Sequence, residues 1–164
     1  MEKIEGRCWV FGDNIDTDVI FPTQYLSLPD IQKACKYAFE PIRPEFSKEV
    51  REGNIIVAGK NFGCGSSREQ APAVLKESGI KVIIARSFAR IFYRNAINLG
   101  IPVIECDTIQ DVIKEGDTLE VNITDGEIVH KKTGILFKAT KIPSFMIEIF
   151  NCGGLVEYMK QRNK

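Results

Sequence analysis

The most reactive stretch of the sequence is a glycine-rich loop followed by two serines and an arginine. It reads Asn-Phe-Gly-Cys-Gly-Ser-Ser-Arg-Glu-Gln-Ala-Pro over residues 61–72. Gly63 and Gly65 have no side chain, so a ligand can approach the main chain closely. Ser66 and Glu69 have the spacing of a capping box, which predicts the start of a helix. The loop is therefore expected to deliver polar side chains to a helix N-terminus.

An anion is the ligand that this arrangement favours. Free N–H groups and the helix dipole attract negative charge at a helix N-terminus. Ser66 and Ser67 add hydroxyl groups there, and Arg68 can form two parallel hydrogen bonds with a carboxylate or a phosphate. The segment lacks the glycine spacings of the nucleotide-binding loops. A purely structural role for the same loop is an equally good interpretation of the motif alone.

A serine in this loop could act as a base as well as a ligand. No histidine lies nearby in the sequence to activate it, so a Ser-His-Asp mechanism cannot be built from this chain. A serine base needs an unusually low pKa, which Arg68 and N–H groups at a helix end could provide by stabilising the alkoxide. On the residues alone, this role for Ser66 is a hypothesis.

The composition excludes several other classes of protein. Among 164 residues, Lys plus Arg and Asp plus Glu both number 22, so the formal net charge is zero. That balance argues against binding to nucleic acid or to an acidic membrane surface. No apolar run approaches the roughly 20 residues that cross a bilayer, and no signal-peptide stretch is found, so we expect a cytoplasmic protein. Five widely and irregularly spaced cysteines predict free thiols and no metal site in this chain.

Alternating strands and helices are predicted to position the loop. Strands are predicted at residues 7–11, 54–58, 80–85 and 101–105, and helices at 30–39, 67–78 and 87–99. The order in the centre of the chain predicts parallel strands joined by right-handed crossovers. The last third predicts strands at 118–124, 127–130 and 135–138 and a last helix at 143–150. We therefore predict one α/β domain over residues 1–164, with a mostly parallel core sheet and C-terminal antiparallel hairpins.

Three long motifs give the chain a specific resemblance. They are Gly-Asp-Asn-Ile-Asp-Thr-Asp at residues 12–18, Gly-Lys-Asn-Phe-Gly-Cys-Gly-Ser-Ser-Arg-Glu at 59–69, and Ser-Phe-Ala-Arg-Ile-Phe-Tyr-Arg-Asn-Ala-Ile-Asn-Leu-Gly-Ile-Pro at 87–102. Together they resemble the small subunits of isopropylmalate isomerase and archaeal homoaconitase, a family similar to the mobile C-terminal domain of aconitase. The match covers most of residues 5–107. It implies a swivelling β/β/α domain that closes over a larger subunit.

The resemblance implies a two-subunit hydro-lyase in which this chain is not catalytic alone. The large subunit would hold a [4Fe-4S] cluster, while this chain would hold no cofactor, and Cys64 would be a small loop residue. Ser66 would abstract a proton from carbon, and Ser67 and Arg68 would bind a carboxylate of a small di- or tricarboxylate substrate. The reaction would remove water and return it with the hydroxyl group on the neighbouring carbon.

The resemblance assigns the choice of substrate to a loop that contains Tyr25, Leu26, Ser27 and Leu28. No arginine lies in this loop to bind an additional carboxylate, and a carboxylate left unpaired there would be costly. Leu26 and Leu28 would suit an apolar branch, so 2-isopropylmalate is the favoured substrate. The alternatives are a homoaconitase or 2,3-dimethylmalate dehydratase subunit and, from a different class, a stand-alone module that binds small anions.

Supporting roles are expected for an acidic cluster formed by Asp13, Asp16 and Asp18. These carboxylates could form a cation site, but capping, turn formation and support of the active-site loops are the favoured roles. Gly63, Gly65 and Glu69 belong to the same predicted supporting framework.

Three further polar residues have open roles. Gln70 stands where many family members have histidine, which puts a proton relay in doubt and leaves a positioning role. Arg90 and Arg94 lie near one face of a predicted helix. They could orient the serine loop, meet the large subunit or form ordinary surface ion pairs.

Overall fold

A seven-stranded mixed sheet organises the protein, and the computed structural model describes residues 3–163. Residues 1, 2 and 164 of the predicted domain lie outside the described residues. The strands are β1 Ile4–Val10, β2 Ile55–Ala58, β3 Val82–Ala85, β4 Val103–Glu105, β5 Thr118–Asn122, β6 Glu127–His130 and β7 Leu136–Lys138. Their order in the sheet is β4-β3-β2-β1-β5-β6-β7.

Strand β1 joins a parallel half of the sheet to an antiparallel half. Residues 8–10 of β1 pair in parallel with β2, which continues in parallel to β3 and β4. Residues 4–7 of β1 pair antiparallel with β5, and β6 and β7 continue that pattern. The predicted parallel core and C-terminal hairpins are therefore confirmed.

The burial of the strands follows their apolar patterns. Every residue of β2 and β3 is fully buried, because these central strands are covered on both faces. In β5 only Leu119 and Val121 are buried, which is the alternation of a strand with one face toward the core.

Helices connect the strands and pack on one another. They are α1 Thr17–Ile20, α2 Ile31–Ala34, α3 Phe46–Glu49, α4 Gln70–Glu77, α5 Arg90–Asn98, α6 Ser144–Cys152 and α7 Leu155–Arg162. Helix α4 packs against α1, α2 and α5, and α5 packs against α6 and α7. Within residues 3–163, the helices are all too short or too polar to cross a membrane.

The helix after the serines begins three residues later than predicted. Helix α4 starts at Gln70 and not at Ser67, and Glu69 at its N-cap makes no side-chain capping bond, so the capping box with Ser66 is wrong. Pro72 explains the difference. In a helix from Ser67, Pro72 would meet the carbonyl four residues earlier without an N–H to donate. A start at Gln70 puts Pro72 in the first turn, where no N–H partner is needed.

Helix α5 also begins later than predicted, at Arg90 and not at Ser87. The N–H of Phe62 donates to the carbonyl of Ser87 at 3.0 Å, and the N–H of Ala89 donates to the carbonyl of Phe62 at 2.9 Å. This pairing keeps the chain extended between Ser87 and Ala89, so the helix cannot start there.

The C-terminal part contains one helix more than predicted. The helix predicted at residues 143–150 is α6, and α7 follows it after a glycine pair. Gly153 and Gly154 have φ angles of 89° and 140°, which favour glycine. The glycine pair ends α6 and turns the chain into α7, a helix that the sequence analysis did not predict.

The helix predicted at residues 30–39 is correctly started and shorter than expected. The carboxylate of Asp30 accepts a hydrogen bond from the N–H of Gln32 at 2.9 Å, so Asp30 caps the helix at the predicted start. Helix α2 then ends at Ala34, and a 3₁₀ turn, Cys35–Tyr37, continues the chain.

Candidate active site

The serines lie at the carboxyl edge of the parallel strands. Residues 12–18, here called the acidic loop, follow β1, and residues 59–69, here called the serine loop, follow β2. Residues 86–89 follow β3 at the same edge. Open α/β sheets bind their ligands at the carboxyl ends of the strands, so this edge is the natural place for a site.

Main-chain hydrogen bonds join the acidic loop to the serine loop. They run from Gly59 N–H to Gly12 O at 3.1 Å, and from Asn14 N–H to Lys60 O, Gly63 N–H to Ile15 O and Thr17 N–H to Cys64 O at 2.8 Å each. These bonds join residues 12–17 of the acidic loop to residues 59–64 of the serine loop, so the two segments hold each other in one arrangement there.

The carboxylates of the acidic loop bind main-chain N–H groups. Asp13 Oδ1 accepts from the N–H of Lys60 at 2.7 Å, which ties it to the serine loop. Asp16 caps α1 by accepting from the N–H of Asp18 at 2.7 Å. Within the described part of the chain, no three or more His, Cys, Asp or Glu side chains are grouped to hold a metal ion. The contacts of Asp13 and Asp16 are those of capping and loop support.

Two glycines of the serine loop occupy positions that exclude a side chain. Gly63 and Gly65 have φ angles of 83° and 94°. A Cβ atom on Gly63 would lie 2.2 Å from the ring of Phe92, and one on Gly65 would lie 2.5 Å from the carboxylate of Asp16. Both the backbone conformation and the close packing therefore require glycine.

Ser66 and Ser67 are exposed, and within residues 3–163 neither hydroxyl group has a hydrogen-bond partner. The main chain of Ser66 is held instead, because its carbonyl accepts a hydrogen bond from Thr17 Oγ1 at 2.9 Å. The two hydroxyl groups are thus available to a ligand. The free N–H groups of a helix do not begin at Ser66, as predicted, but at Gln70.

Arg68 is oriented by residues from two other segments. Its Nη2 lies 2.9 Å from Asp18 Oδ1, and its Nη1 donates to Thr23 Oγ1 at 3.1 Å. The side chain is only 15% exposed, so these contacts restrict it well. A guanidinium group has five N–H donors, and two contacts leave donors for an incoming carboxylate. Glu69 and Gln70 next to it are exposed.

The predicted substrate loop, residues 25–28, follows Thr23, and Thr23 accepts a hydrogen bond from Arg68 of the serine loop. The hydroxyl of Tyr25 donates to Glu40 at 2.6 Å, and this hydrogen bond raises the pKa of the phenol. The ring of Tyr25 stacks on Tyr37 with centroids 3.7 Å apart. The phenol is thus engaged within the chain.

Two leucines and a serine complete this loop. Leu26 and Leu28 are half-buried against the core, and Ser27 is exposed. The loop therefore has an apolar part in contact with the core and a polar part facing outward.

The cysteines do not form a cluster-binding set. The pKa of the Cys64 thiol is raised by its burial and, second, by the Asp16 carboxylate. Burial also raises the pKa of Cys8 in β1 to about 12. Thiolates, not thiols, bind metals. The other free thiols are Cys35, Cys106 and Cys152, on separate elements. Within residues 3–163, no three of these side chains are grouped as the ligands of an iron–sulfur cluster would be.

Three residues that position the site were not identified from the sequence. Thr17 and Thr23 contact Ser66 and Arg68 across the loops. Phe62 is fully buried at the base of the serine loop. The sequence contained one signal for Thr17, which lies between two aspartates in the motif at residues 12–18. Its hydrogen-bond partner, the carbonyl of Ser66, is 49 residues away.

Phe62 anchors the serine loop, and the neighbouring helix α5 carries two exposed arginines. The ring of Phe62 packs edge-on against Phe88 and Phe92, at centroid distances of 6.2 and 5.2 Å. Arg90 and Arg94 are exposed, and neither forms an ion pair with another described residue. Surface ion pairing within the chain therefore does not account for them.

Comparison with known proteins first gives the class of the chain. Residues 40–108 match the family described as the aconitase C-terminal domain. The solved structure of 3-isopropylmalate dehydratase from Methanocaldococcus jannaschii superposes with a TM-score of 0.93 and 46% identity, covering 99% of this chain and 96% of that chain. The fold is thus that of this dehydratase structure, and its central part matches the C-terminal domain of aconitase.

Curated relatives then define the family. The isopropylmalate/citramalate isomerase small subunit of Methanocaldococcus jannaschii is 52% identical over 97% of this chain and 95% of its own length. The 3-isopropylmalate dehydratase small subunit of Aquifex aeolicus is 50% identical over 98% of this chain and 96% of its own length. The chain belongs to the family of 3-isopropylmalate dehydratase small subunits, which confirms the resemblance seen in the sequence.

Proposed function

We propose that this chain is the small subunit of a two-chain hydro-lyase that interconverts 2-isopropylmalate and 3-isopropylmalate. The observation that carries the proposal is the serine loop, which presents two exposed hydroxyl groups beside an arginine already oriented by Asp18 and Thr23. Relatives about half identical over nearly the whole chain are named for this activity.

Ser66 is proposed to act as the base. Its oxygen, as the alkoxide, takes a proton from the carbon next to the hydroxyl-bearing carbon, the electron pair of that C–H bond forms the double bond, and the C–O bond breaks. The departing hydroxide takes up a proton from a general acid on the large subunit and leaves as water. Return of water in the opposite sense gives the isomer. A serine alkoxide requires nearby positive charge and N–H donors, and Arg68 lies two residues along the same loop.

Ser67 and Arg68 are proposed to bind a carboxylate of the substrate. The remaining N–H groups of Arg68 can form charge-assisted hydrogen bonds with it. Because Asp18 and Thr23 already restrict the guanidinium group, little side-chain entropy is lost when the substrate binds.

A second chain is proposed to complete the site, because Ser66 and Ser67 are exposed to solvent in this one. The proposed partner is a large subunit that carries a [4Fe-4S] cluster, which would act as a Lewis acid on the substrate hydroxyl group. The cytoplasm is the proposed compartment, in keeping with five free thiols.

The substrate branch is proposed to lie against Leu26 and Leu28, half-buried in a loop that contains no arginine. An apolar branch loses no hydrogen bond there, whereas an additional carboxylate would be left unpaired. The Methanocaldococcus jannaschii relative is named for isopropylmalate and citramalate. Citramalate, with its smaller methyl branch, is therefore the second candidate substrate.

The test is anaerobic reconstitution with the candidate large subunit, followed by kcat/KM for 2-isopropylmalate, citramalate, 2,3-dimethylmalate and homoaconitate. We expect the highest value for 2-isopropylmalate and no turnover by either chain alone. A preference for homoaconitate would refute the assigned substrate. If the two chains do not associate, the stand-alone anion-binding module becomes the better account.

A matched pair of variants tests the substrate loop. Leu28→Arg places a cation in the loop and should raise the relative kcat/KM for homoaconitate. Leu136→Arg adds the same charge on β7, where Leu136 is 46% exposed, and should leave the preference unchanged.

A further inference from the structure

Thr17 is a buried polar residue that touches the serine loop twice. It is 2% exposed and occupies the first position of α1. Its N–H donates to the carbonyl of Cys64 at 2.8 Å, and its Oγ1 donates to the carbonyl of Ser66 at 2.9 Å. One residue of the acidic loop thus binds the carbonyls on both sides of Gly65.

The hydroxyl of Thr17 is not needed to start α1. The N-cap of that helix is Asp16, whose carboxylate accepts from the N–H of Asp18. A buried hydroxyl group without a partner would be unfavourable, and the partner of this one is the carbonyl of Ser66. The hydrogen bond therefore acts on the serine loop and not on the helix.

Ser66 has no other restraint of this kind. Within residues 3–163, the hydrogen bond from Thr17 is the single one that Ser66 makes. The preceding residue is Gly65, with φ 94°, and glycine has the widest choice of backbone conformations. Without a bond to its carbonyl, Ser66 could rotate about Gly65 and move its hydroxyl group.

We infer that Thr17 is a positioning residue, which fixes the peptide of Ser66 and with it the direction of the Ser66 hydroxyl group. The inference rests on the proposed role of Ser66 as the base. A base must lie within hydrogen-bonding reach of the proton that it removes, and a displacement of about 1 Å can reduce a rate about a hundredfold. Thr17 controls that displacement without touching the substrate.

The experiment compares Thr17→Val and Thr17→Ser in the reconstituted two-chain enzyme. Valine keeps the shape and loses the hydroxyl group, so kcat should fall at least about tenfold while KM changes by less than about threefold. Serine keeps the hydroxyl group and should retain kcat within about threefold. Thermal unfolding and association with the large subunit are measured for each variant.

Ser78→Ala serves as a matched control. Ser78 Oγ donates to the carbonyl of Val74 at 2.7 Å, so this variant also removes a hydroxyl-to-carbonyl bond, at the end of α4. It should leave kcat unchanged.

Three outcomes would overturn the role of Thr17. They are an unchanged kcat in Thr17→Val, a tenfold loss in Thr17→Ser, or a loss of kcat in Ser78→Ala equal to that in Thr17→Val. If the wild-type pair turns over none of the diacids, the proposed function fails, and the role of Thr17 fails with it. Normal turnover by wild type and Thr17→Val alike would remove only the present inference.

Discussion

The Ser66 hydroxyl group is exposed, while the carbonyl of the same residue is bound to a buried threonine. Arg68, two residues later, is only 15% exposed and lies between Asp18 and Thr23. A reactive hydroxyl group must reach its substrate, and its geometry must be fixed in advance. The serine loop is accessible and also fixed, because Thr17 holds Ser66 while Asp18 and Thr23 hold Arg68.

Asp18→Asn should weaken substrate binding more than folding. The ion pair with Arg68 has a half-exposed carboxylate, so its loss should change the free energy of unfolding by less than about 1 kcal/mol. With Arg68 less well oriented, KM for the diacid should rise about fivefold, equivalent to about 1 kcal/mol. Steady-state kinetics of the two-chain enzyme and urea unfolding measure the two effects.

Glu127→Gln is the control for this prediction, since it removes the 2.8 Å pair between Lys138 and Glu127 in the antiparallel half of the sheet. It should leave KM unchanged. An unchanged KM in Asp18→Asn would show that Arg68 does not depend on Asp18.

Cys64 should react slowly with alkylating reagents in the folded chain. Burial and the Asp16 carboxylate raise the pKa of its thiol, so at pH 8 a smaller fraction is the reactive thiolate than in an ordinary cysteine. Its alkylation rate by iodoacetamide should therefore rise at a higher pH than that of the urea-unfolded chain, as followed by peptide mass spectrometry. Equal rates at pH 8 in folded and unfolded chains would contradict this assignment.

The positions of the strands could be predicted from the sequence, whereas the starts of two helices could not. The strands of the parallel half were predicted because they are short apolar runs, and β2 and β3 are buried on both faces. Strand β5 was predicted from its alternation of polar and apolar residues. The starts of α4 and α5 were predicted too early. For α4, the capping-box spacing of Ser66 and Glu69 predicted an early start, but Pro72 prevents a helix from beginning there. For α5, the residues before Arg90 pair with Phe62 and stay extended. Phe62 forms its bridge with Phe88, far along the chain, so this pairing is not visible in a local pattern.

Gly65→Ala tests the junction between the acidic and serine loops. A left-handed backbone alone costs a non-glycine residue about 1 kcal/mol. Gly134→Ala isolates that cost, because Gly134 has φ 76° and open space around it. Gly65→Ala adds a contact of 2.5 Å with Asp16, so it should destabilise the chain by more than Gly134→Ala and should also lower kcat.

Thermal unfolding measures the stability of Gly65→Ala and Gly134→Ala, and kinetics of the reconstituted enzyme measure their kcat. Equal loss of stability in the two variants, with normal turnover in Gly65→Ala, would refute the requirement for glycine at this junction.

The whole molecule brings together a site that is only partly visible in its sequence. Ser66, Ser67 and Arg68 are neighbours in the chain, so their proximity needed no structure. The bonds from Thr17 to Ser66 and from Thr23 to Arg68 span 49 and 45 residues. They exist because β1 and β2 are parallel neighbours whose following loops meet at one edge of the sheet. The family resemblance identified the loops, and the sheet order explains their contact.

The fold of the whole molecule also limits what this chain can do alone. Its serine loop is exposed, and within residues 3–163 no three cysteines are grouped as a cluster would require. We therefore propose that the rest of the active site lies on the large subunit. The changes in kcat and KM expected for the variants are therefore those of the two-chain enzyme.

The most direct test of this account is the turnover of 2-isopropylmalate by the reconstituted enzyme that carries Ser66→Ala, with Ser67→Ala as its neighbour control. Association with the large subunit should be unchanged in both. We predict that kcat falls at least about a hundredfold in Ser66→Ala, as expected for the loss of a general base. Ser67→Ala should act mainly through KM. Turnover by Ser66→Ala within about threefold of wild type would contradict the assignment of the base to this chain.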